Sequence, residues 1–178
     1  HGDTLDLLPT LPDAAFDVIL TDPPYGVNAQ SFGDMADASH EYNDTPEYFT
    51  SLLHPLAKHS YRVAKPQAHA YIFCDIRNFH EVSLAMQLAG WDVWPTPIIW
   101  EKGNVGMLPR PEYGPRRCYE SIVYAIKGDR KTTGIATDVI LGISGMQAPR
   151  FGAEKPWQLY ANLSRRSVRP GDSVLDCF

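Results

Sequence analysis

Four consecutive residues, Asp22-Pro23-Pro24-Tyr25, carry the clearest chemical signal in the chain, and they follow directly on the largely apolar run from Phe16 to Thr21. Each proline fixes its own φ near −65°, lacks an N–H and drives the preceding residue out of the helical region. A strand entering this segment has to stop in a stiff, extended turn. The carbonyls of Asp22 and Pro23 and the Asp22 carboxylate are hydrogen-bond acceptors, and such a group matches an exocyclic –NH2 with its two hydrogens. Held by both hydrogens, an amine turns its lone pair out of conjugation with its ring and toward an electrophile. Tyr25 adds an aromatic face on which the amine-bearing ring can stack. A base inside a duplex must first be flipped out at a cost of about a few kcal/mol, and stacking on an aromatic returns roughly 1 to 3 kcal/mol. The two terms are comparable, so the turn suits an extruded nucleobase. Asp and Pro are also common turn formers, and the tetrapeptide alone permits a purely structural role.

The elements that must position this turn read as alternating strands and helices, which predicts an α/β fold: a mostly parallel twisted sheet with helices on both faces. Val18 to Leu20 forms the first strand. A helix runs from Glu47 to Ala64, with Thr45 as N-cap, Pro46 at the first helical position and a kink at Pro55. Ala70 to Cys74 is a short continuous apolar run, hence a buried strand. A helix from Asn78 to Ala89 is ended by Gly90. Pro97 to Trp100 and Ser121 to Ile126 are further strands, Glu154 to Arg166 is the last helix and Ser173 to Leu175 the last strand. In open sheets of this kind ligands bind beyond the carboxyl ends of the strands, where both Asp22 and Asp176 fall.

A second motif lies at the far end, Gly152-Ala153-Glu154-Lys155-Pro156-Trp157-Gln158-Leu159-Tyr160 followed by Arg169-Pro170-Gly171-Asp172-Ser173-Val174-Leu175-Asp176-Cys177-Phe178. Together the two motifs resemble those of the amino-methyltransferases, S-adenosylmethionine enzymes that methylate exocyclic nitrogens of bases. The resemblance covers nearly the whole chain. The catalytic motif precedes the cofactor strand, as in the circularly permuted β-class order, and the Asp-first tetrapeptide is most similar to the adenine-N6 branch. The resemblance implies a Rossmann-like methyltransferase fold in one domain, residues 1–178. It implies that Asp22, Pro23, Pro24 and Tyr25 hold and stack the target base, and that Asp3, Asp22, Lys155, Pro156, Asp176 and Phe178 contact the cofactor. Residues 128–152 fall where that order has its target-recognition segment. The chain starts at His1 and stops at Phe178, before the Gly-x-Gly that would let the backbone approach the cofactor, so it reads as an excerpt truncated at both ends.

The net charge is −5, but it is unevenly spread. Residues 1–100 hold 4 Lys and Arg against 13 Asp and Glu, whereas residues 101–178 hold 12 against 8. A phosphate-facing surface is therefore expected from the second half. Its candidates are Arg110, Arg116 and Arg117 in a Pro/Gly-rich loop, with Arg130, Lys131 and Arg150 further on; the alternative for each is a solvated basic loop. The polar loop from Gly26 to Thr45 could close over a substrate.

Cys74, Cys118 and Cys177 are odd in number and widely spaced, which argues against a disulfide framework or a zinc site. The six histidines lack metal-ligand spacing, so no metal is expected. With 44% hydrophobic residues, no apolar run near the roughly 18 residues of a membrane span and no signal peptide, the expectation is a cytoplasmic protein; the resemblance implies a nucleoid-associated one from a bacterium or phage.

These readings converge on a site-specific DNA methyltransferase. It would move a methyl group from S-adenosylmethionine to N6 of a flipped adenine in double-stranded DNA by direct in-line attack. Cytosine N4, or an amine in RNA or protein, keeps the transferase and changes the substrate. A catalytically inactive nucleic-acid-binding module is the other class. A homodimer and fusion to further domains both stay open.

Overall fold

The computed structural model describes residues 2–27, 43–103, 112–115, 117–142 and 154–178. Strand β1 (Phe16–Thr21) is buried from Asp17 onward, and its alternation divides the core in two. Val18 and Leu20 point to one face of the sheet, with Tyr71, Phe73, Leu159 and Leu163. Ile19 points to the other, with Phe49, Leu53 and Ala57. This period of two is why a strand buried on both faces reads as an unbroken apolar run.

Helix α1 (Thr4–Leu7) is capped by the Asp3 carboxylate, which accepts from the Leu5 N–H at 2.7 Å. Helix α2 (Pro46–Val63) starts as its sequence predicts, with the Thr45 hydroxyl accepting from the Tyr48 N–H and Pro46 in the first turn. It continues through Pro55 to Val63. Phe49, Leu52, Leu53, Leu56, Ala57, Ser60 and Val63 are its buried residues, and this helical spacing lays one stripe on the sheet. Each fully buried Leu or Phe in it contributes about 1.5–3 kcal/mol.

Strand β2 (Ala64–Cys74) begins at Ala64 rather than Ala70. Its first residues, Lys65, Pro66 and Gln67, stay partly exposed at the rim, so the apolar run marks only the buried portion. Helix α3 (Phe79–Ala89) ends at Gly90 in the left-handed conformation, as expected. Strands β3 (Asp92–Val93), β4 (Ile98–Glu101), β5 (Tyr119–Lys127) and β6 (Val139–Ile140) follow. Helix α4 (Trp157–Ser167) starts later than Glu154, and Pro156 serves as its N-cap. Strand β7 (Val174–Leu175) closes the chain.

The sheet order is β6-β4-β5-β2-β1-β7, with β3 also on β5. β1 pairs in parallel with both β2 and β7, and β6 with β4, while β5 is antiparallel to β2, β3 and β4. Among the described strands β5 alone runs against the rest, so the sheet is mixed and mostly parallel. Helices α2 and α3 supply one face and α4 the other. Because β1 and β7 are parallel neighbours, about 4.8 Å apart in the pairing direction, Asp22 and Asp176 leave the sheet at the same end.

Candidate active site

The Asp22 turn is fixed from several sides. Pro23 and Pro24 are buried, and Asn78 Nδ2 donates to the Tyr25 carbonyl at 2.6 Å. Gly26, at φ 69°, follows the turn, and its N–H donates to the Asp44 carboxylate at 2.7 Å. A Cβ on Gly26 would lie 2.6 Å from the Phe49 Cβ, so glycine is required both by conformation and by space.

Asp22 is joined there by residues from three other parts of the chain. Lys155, just before α4, sets its Nζ 2.7 Å from Asp22 Oδ2 and 3.3 Å from Glu120 Oε2. Lys102, at the end of β4, donates to Glu120 Oε1 at 2.7 Å. The Tyr25 hydroxyl lies between the two acids, 2.7 Å from Asp22 Oδ1 and 3.0 Å from Glu120 Oε2. The Lys155 ammonium also stands 5.3 Å from the centre of the Tyr25 ring and 5.7 Å from that of Phe73, within the range of cation–π attraction. Two acids, two ammonium groups and one phenol thus form a neutral cluster at the carboxyl end of β1.

Burial weighs on every member. It lifts the Asp22 carboxyl above the ordinary carboxylate value, against the opposing pull of Lys155 and the Tyr25 hydroxyl. Burial also works to raise Glu120, but Lys155 and Lys102 outweigh it and leave that acid below its usual value. For Lys155, burial favours the neutral amine, and the charges of Asp22 and Glu120 reverse this to hold the ammonium above the usual lysine range. Tyr25 is raised well above its ordinary value by burial and the two acids, so it stays a donor through neutral pH.

Beside the cluster, Thr21 Oγ1 donates to Asp176 Oδ1 at 2.8 Å and accepts from the Cys177 N–H at 3.0 Å, which ties the end of β1 to the end of β7. The Thr4 hydroxyl donates to the Cys177 carbonyl, bringing the Asp3 segment to the same end. Asp176 and Phe178 are exposed. The expected site residues Asp3, Asp22, Pro23, Pro24, Tyr25, Lys155, Pro156, Asp176 and Phe178 therefore gather along one end of the sheet.

The basic residues divide. Arg117 donates two bonds to Asp75, at 3.0 and 2.7 Å, alongside Arg77. Burial would raise the Asp75 carboxyl, but the two guanidinium groups hold it far below the usual range. Arg130 is a correction to the sequence reading: its side chain is 5% exposed and paired with Asp17 and Asp172, and it donates to the Ser167 carbonyl. It locks the amino end of β1 to β7, away from the Asp22 turn, and is closed to a phosphate. Lys131 is exposed and paired with Asp129. Arg110, Arg116 and Arg150 lie outside the described residues. Residues 128–142 supply β6 and Arg130 to the sheet, and 143–152 lie outside the described residues.

Glu120 and Lys102 are the site members the sequence reading missed. Their signal is non-local: β5 pairs antiparallel with β4, Trp100 opposite Glu120. Cys74 and Cys177 are pushed up by burial to about 12 and about 11, which leaves them inert thiols. Among the described residues no group of three or more His, Cys, Asp or Glu could hold a metal, and no helix is long and apolar enough to cross a membrane.

Residues 16–142 match the DNA methylase family that groups N6 and N4 methyltransferases. The chain belongs to this family. It is 27% identical over 139 residues to the type II methyltransferase M.HinfI of Haemophilus influenzae, an alignment covering 71% of this chain and 37% of that protein. The chain thus spans well under half the length of that curated relative. Two solved structures share its fold. M1.HpyAVI in complex with SAM matches with TM-score 0.70 at 21% identity, over 99% of this chain and 79% of that one. The cytosine-N4-specific PvuII DNA methyltransferase matches with TM-score 0.73 at 18% identity, over 98% and 71%. The permuted order of motifs in this chain therefore sits on a Rossmann-like methyltransferase fold.

Proposed function

We propose that this DNA methylase transfers the methyl group of S-adenosylmethionine to the N6 amine of adenine in DNA, acting on a base taken out of the duplex. The observation that carries the reading is the Asp22 carboxylate, largely buried and paired with Lys155, at the end of a strand whose parallel neighbour ends in exposed Asp176 and Phe178. Family membership supports the transferase, and the Asp-first form of the turn supports adenine over cytosine.

The donor set at the end of β7 fits the cofactor: a carboxylate and an aromatic ring, both exposed side by side, suit hydroxyl groups and a planar base. Asp3, Asp176 and Phe178 would hold it; Lys155, which the resemblance puts in contact with the cofactor, has its ammonium taken up by Asp22 and Glu120. When bound, S-adenosylmethionine supplies a methyl group on positively charged sulfur.

The chain's own residues do the positioning. Asp22 and the Pro23 carbonyl accept the two amine hydrogens, which aims the nitrogen lone pair and removes much of the entropic cost of the encounter. Tyr25 offers the flipped base an aromatic contact. Lys155 keeps Asp22 ionised and therefore acceptor-only. A nitrogen that gains a methyl must shed one proton, and Asp22, already holding one amine hydrogen and raised in proton affinity by burial, is placed to accept it.

The test uses the full-length protein with methyl-labelled S-adenosylmethionine and unmethylated duplex DNA. Label should enter adenine, and Asp22→Ala should abolish transfer while the far-UV circular dichroism and the melting temperature stay near wild type. DNA binding without label transfer would refute the enzyme reading.

A further inference from the structure

The Tyr25 hydroxyl has one hydrogen and two carboxylates within reach, Asp22 Oδ1 at 2.7 Å and Glu120 Oε2 at 3.0 Å. Lys155 occupies the other Asp22 oxygen, Oδ2. Each oxygen of Asp22 therefore already accepts one hydrogen bond, and an incoming amine is held more strongly at an oxygen from which the partner already there withdraws. Lys155 is a poor one to lose: its ammonium is buried and serves both acids. Tyr25 is different. Its two acceptors stand at hydrogen-bonding distance from the same oxygen, so turning the O–H bond moves the hydrogen from Asp22 to Glu120 with no heavy atom displaced.

We infer that Glu120 is a positioning residue for the target amine: it receives the Tyr25 hydroxyl as the amine arrives, which frees Asp22 Oδ1 to accept an amine hydrogen. The inference rests on the amine-binding role proposed above for Asp22. Glu120 never touches the base. It is fixed from the far side by Lys102, on the oxygen that Tyr25 does not use, so the acceptor is held ready whether or not the site is filled. Without Glu120, a phenol that yields Asp22 Oδ1 to the amine has no other acceptor among the described residues, and an unsatisfied buried donor is expensive. Before the amine arrives, the Asp22 carboxylate has two donors of its own. Tyr25 and Lys155 satisfy it until the amine takes over one of the two positions.

The experiment is a double-mutant cycle on the full-length protein with labelled S-adenosylmethionine and duplex DNA from a methylation-deficient host. Glu120→Leu removes the acceptor, Glu120→Gln restores one without the charge, and Tyr25→Phe removes the hydroxyl and keeps the ring. With Tyr25 present, Glu120→Leu should raise KM for DNA about tenfold, with KM for S-adenosylmethionine unchanged and Glu120→Gln recovering most of the loss. In the Tyr25→Phe background the same change should cost less than about twofold. Effects that Glu120 exerts through Lys102 and Lys155 are common to both backgrounds, so equal losses in the two overturn the inference. Equal KM values for Glu120→Gln and Glu120→Leu in the presence of Tyr25 overturn it as well. A wild-type protein that labels no DNA fails at the transferase reading itself, and the inference falls with it.

Discussion

Replacing Lys155 with methionine removes one charge and little volume from the centre of the site. Its ammonium contacts both acids, and the side chain is 8% exposed. Asp22 and Glu120 lie 2.7 and 3.0 Å from a single hydroxyl, so their nearest oxygens are no more than about 5.7 Å apart. Without Lys155, Glu120 still has Lys102, whereas Asp22 keeps, among the described residues, only the Tyr25 hydroxyl. Asp22 must then take up the proton that relieves the repulsion. Opposite charges about 4 Å apart attract by about 4 kcal/mol at an effective dielectric of 20. Asp22 is 19% exposed, so water and local relaxation recover part of that. An upward shift of the Asp22 pKa is the expected result, because the opposing pull of Lys155 is gone and burial remains. The assay is the pH profile of kcat/KM for DNA methylation by the full-length protein. Asp22 must be ionised to accept an amine hydrogen, so activity is lost as pH falls through its pKa, and in Lys155→Met this acid limb should move to higher pH. Lys102→Met, which leaves the Asp22–Lys155 pair intact, should move it far less. A limb that stays in place or moves to lower pH in Lys155→Met would refute the reasoning.

Three further outcomes follow from the same geometry. Gly26→Ala should cut methyl transfer by at least about tenfold, because a Cβ 2.6 Å from Phe49 at positive φ forces the turn to shift; unchanged kcat would show that the turn's position is not critical. Arg130→Met leaves Asp17 and Asp172 without their buried partner and should lower unfolding free energy by about 3 kcal/mol in denaturant titrations, while the folded fraction keeps its affinity for DNA. Burial lowers the pKa of His69, which bonds to Ser167 Oγ at 2.6 Å and to the Arg130 carbonyl at 3.0 Å. Below about pH 6.5 the unfolded state binds the extra proton, so this residue's contribution is intact above that pH and is lost as pH falls below it. Melting temperatures between pH 7.5 and 5.5 should fall more steeply for wild type than for His69→Gln.

Local rules made much of the scaffold legible. Thr45 and Pro46 announce the start of α2, Gly90 the end of α3, and the Asp-Pro-Pro run the end of β1, because each acts through its own backbone or its nearest neighbours. The Asp22 turn and the β7 end were legible for the same reason. The charges around them were not. Lys155 could be singled out from its motif, but its partners Asp22 and Glu120 come from other strands, and Glu120 reaches the site only through the β4–β5 register. Arg130 is the converse case. In sequence it is one more basic residue after a strand, and its buried contacts with Asp17 and Asp172 exist only once β1, β7 and the segment after β5 come together.

The most direct test of the central claim is the identity of the methylated nucleoside. Duplex DNA incubated with the full-length protein and methyl-labelled S-adenosylmethionine is digested to nucleosides and separated against standards. The account predicts label in N6-methyl-2′-deoxyadenosine, absent with Asp22→Ala. Label in N4-methyl-2′-deoxycytidine would overturn the choice of base, and label on a ring carbon, or on no nucleoside at all, would contradict amine capture by the Asp22 turn.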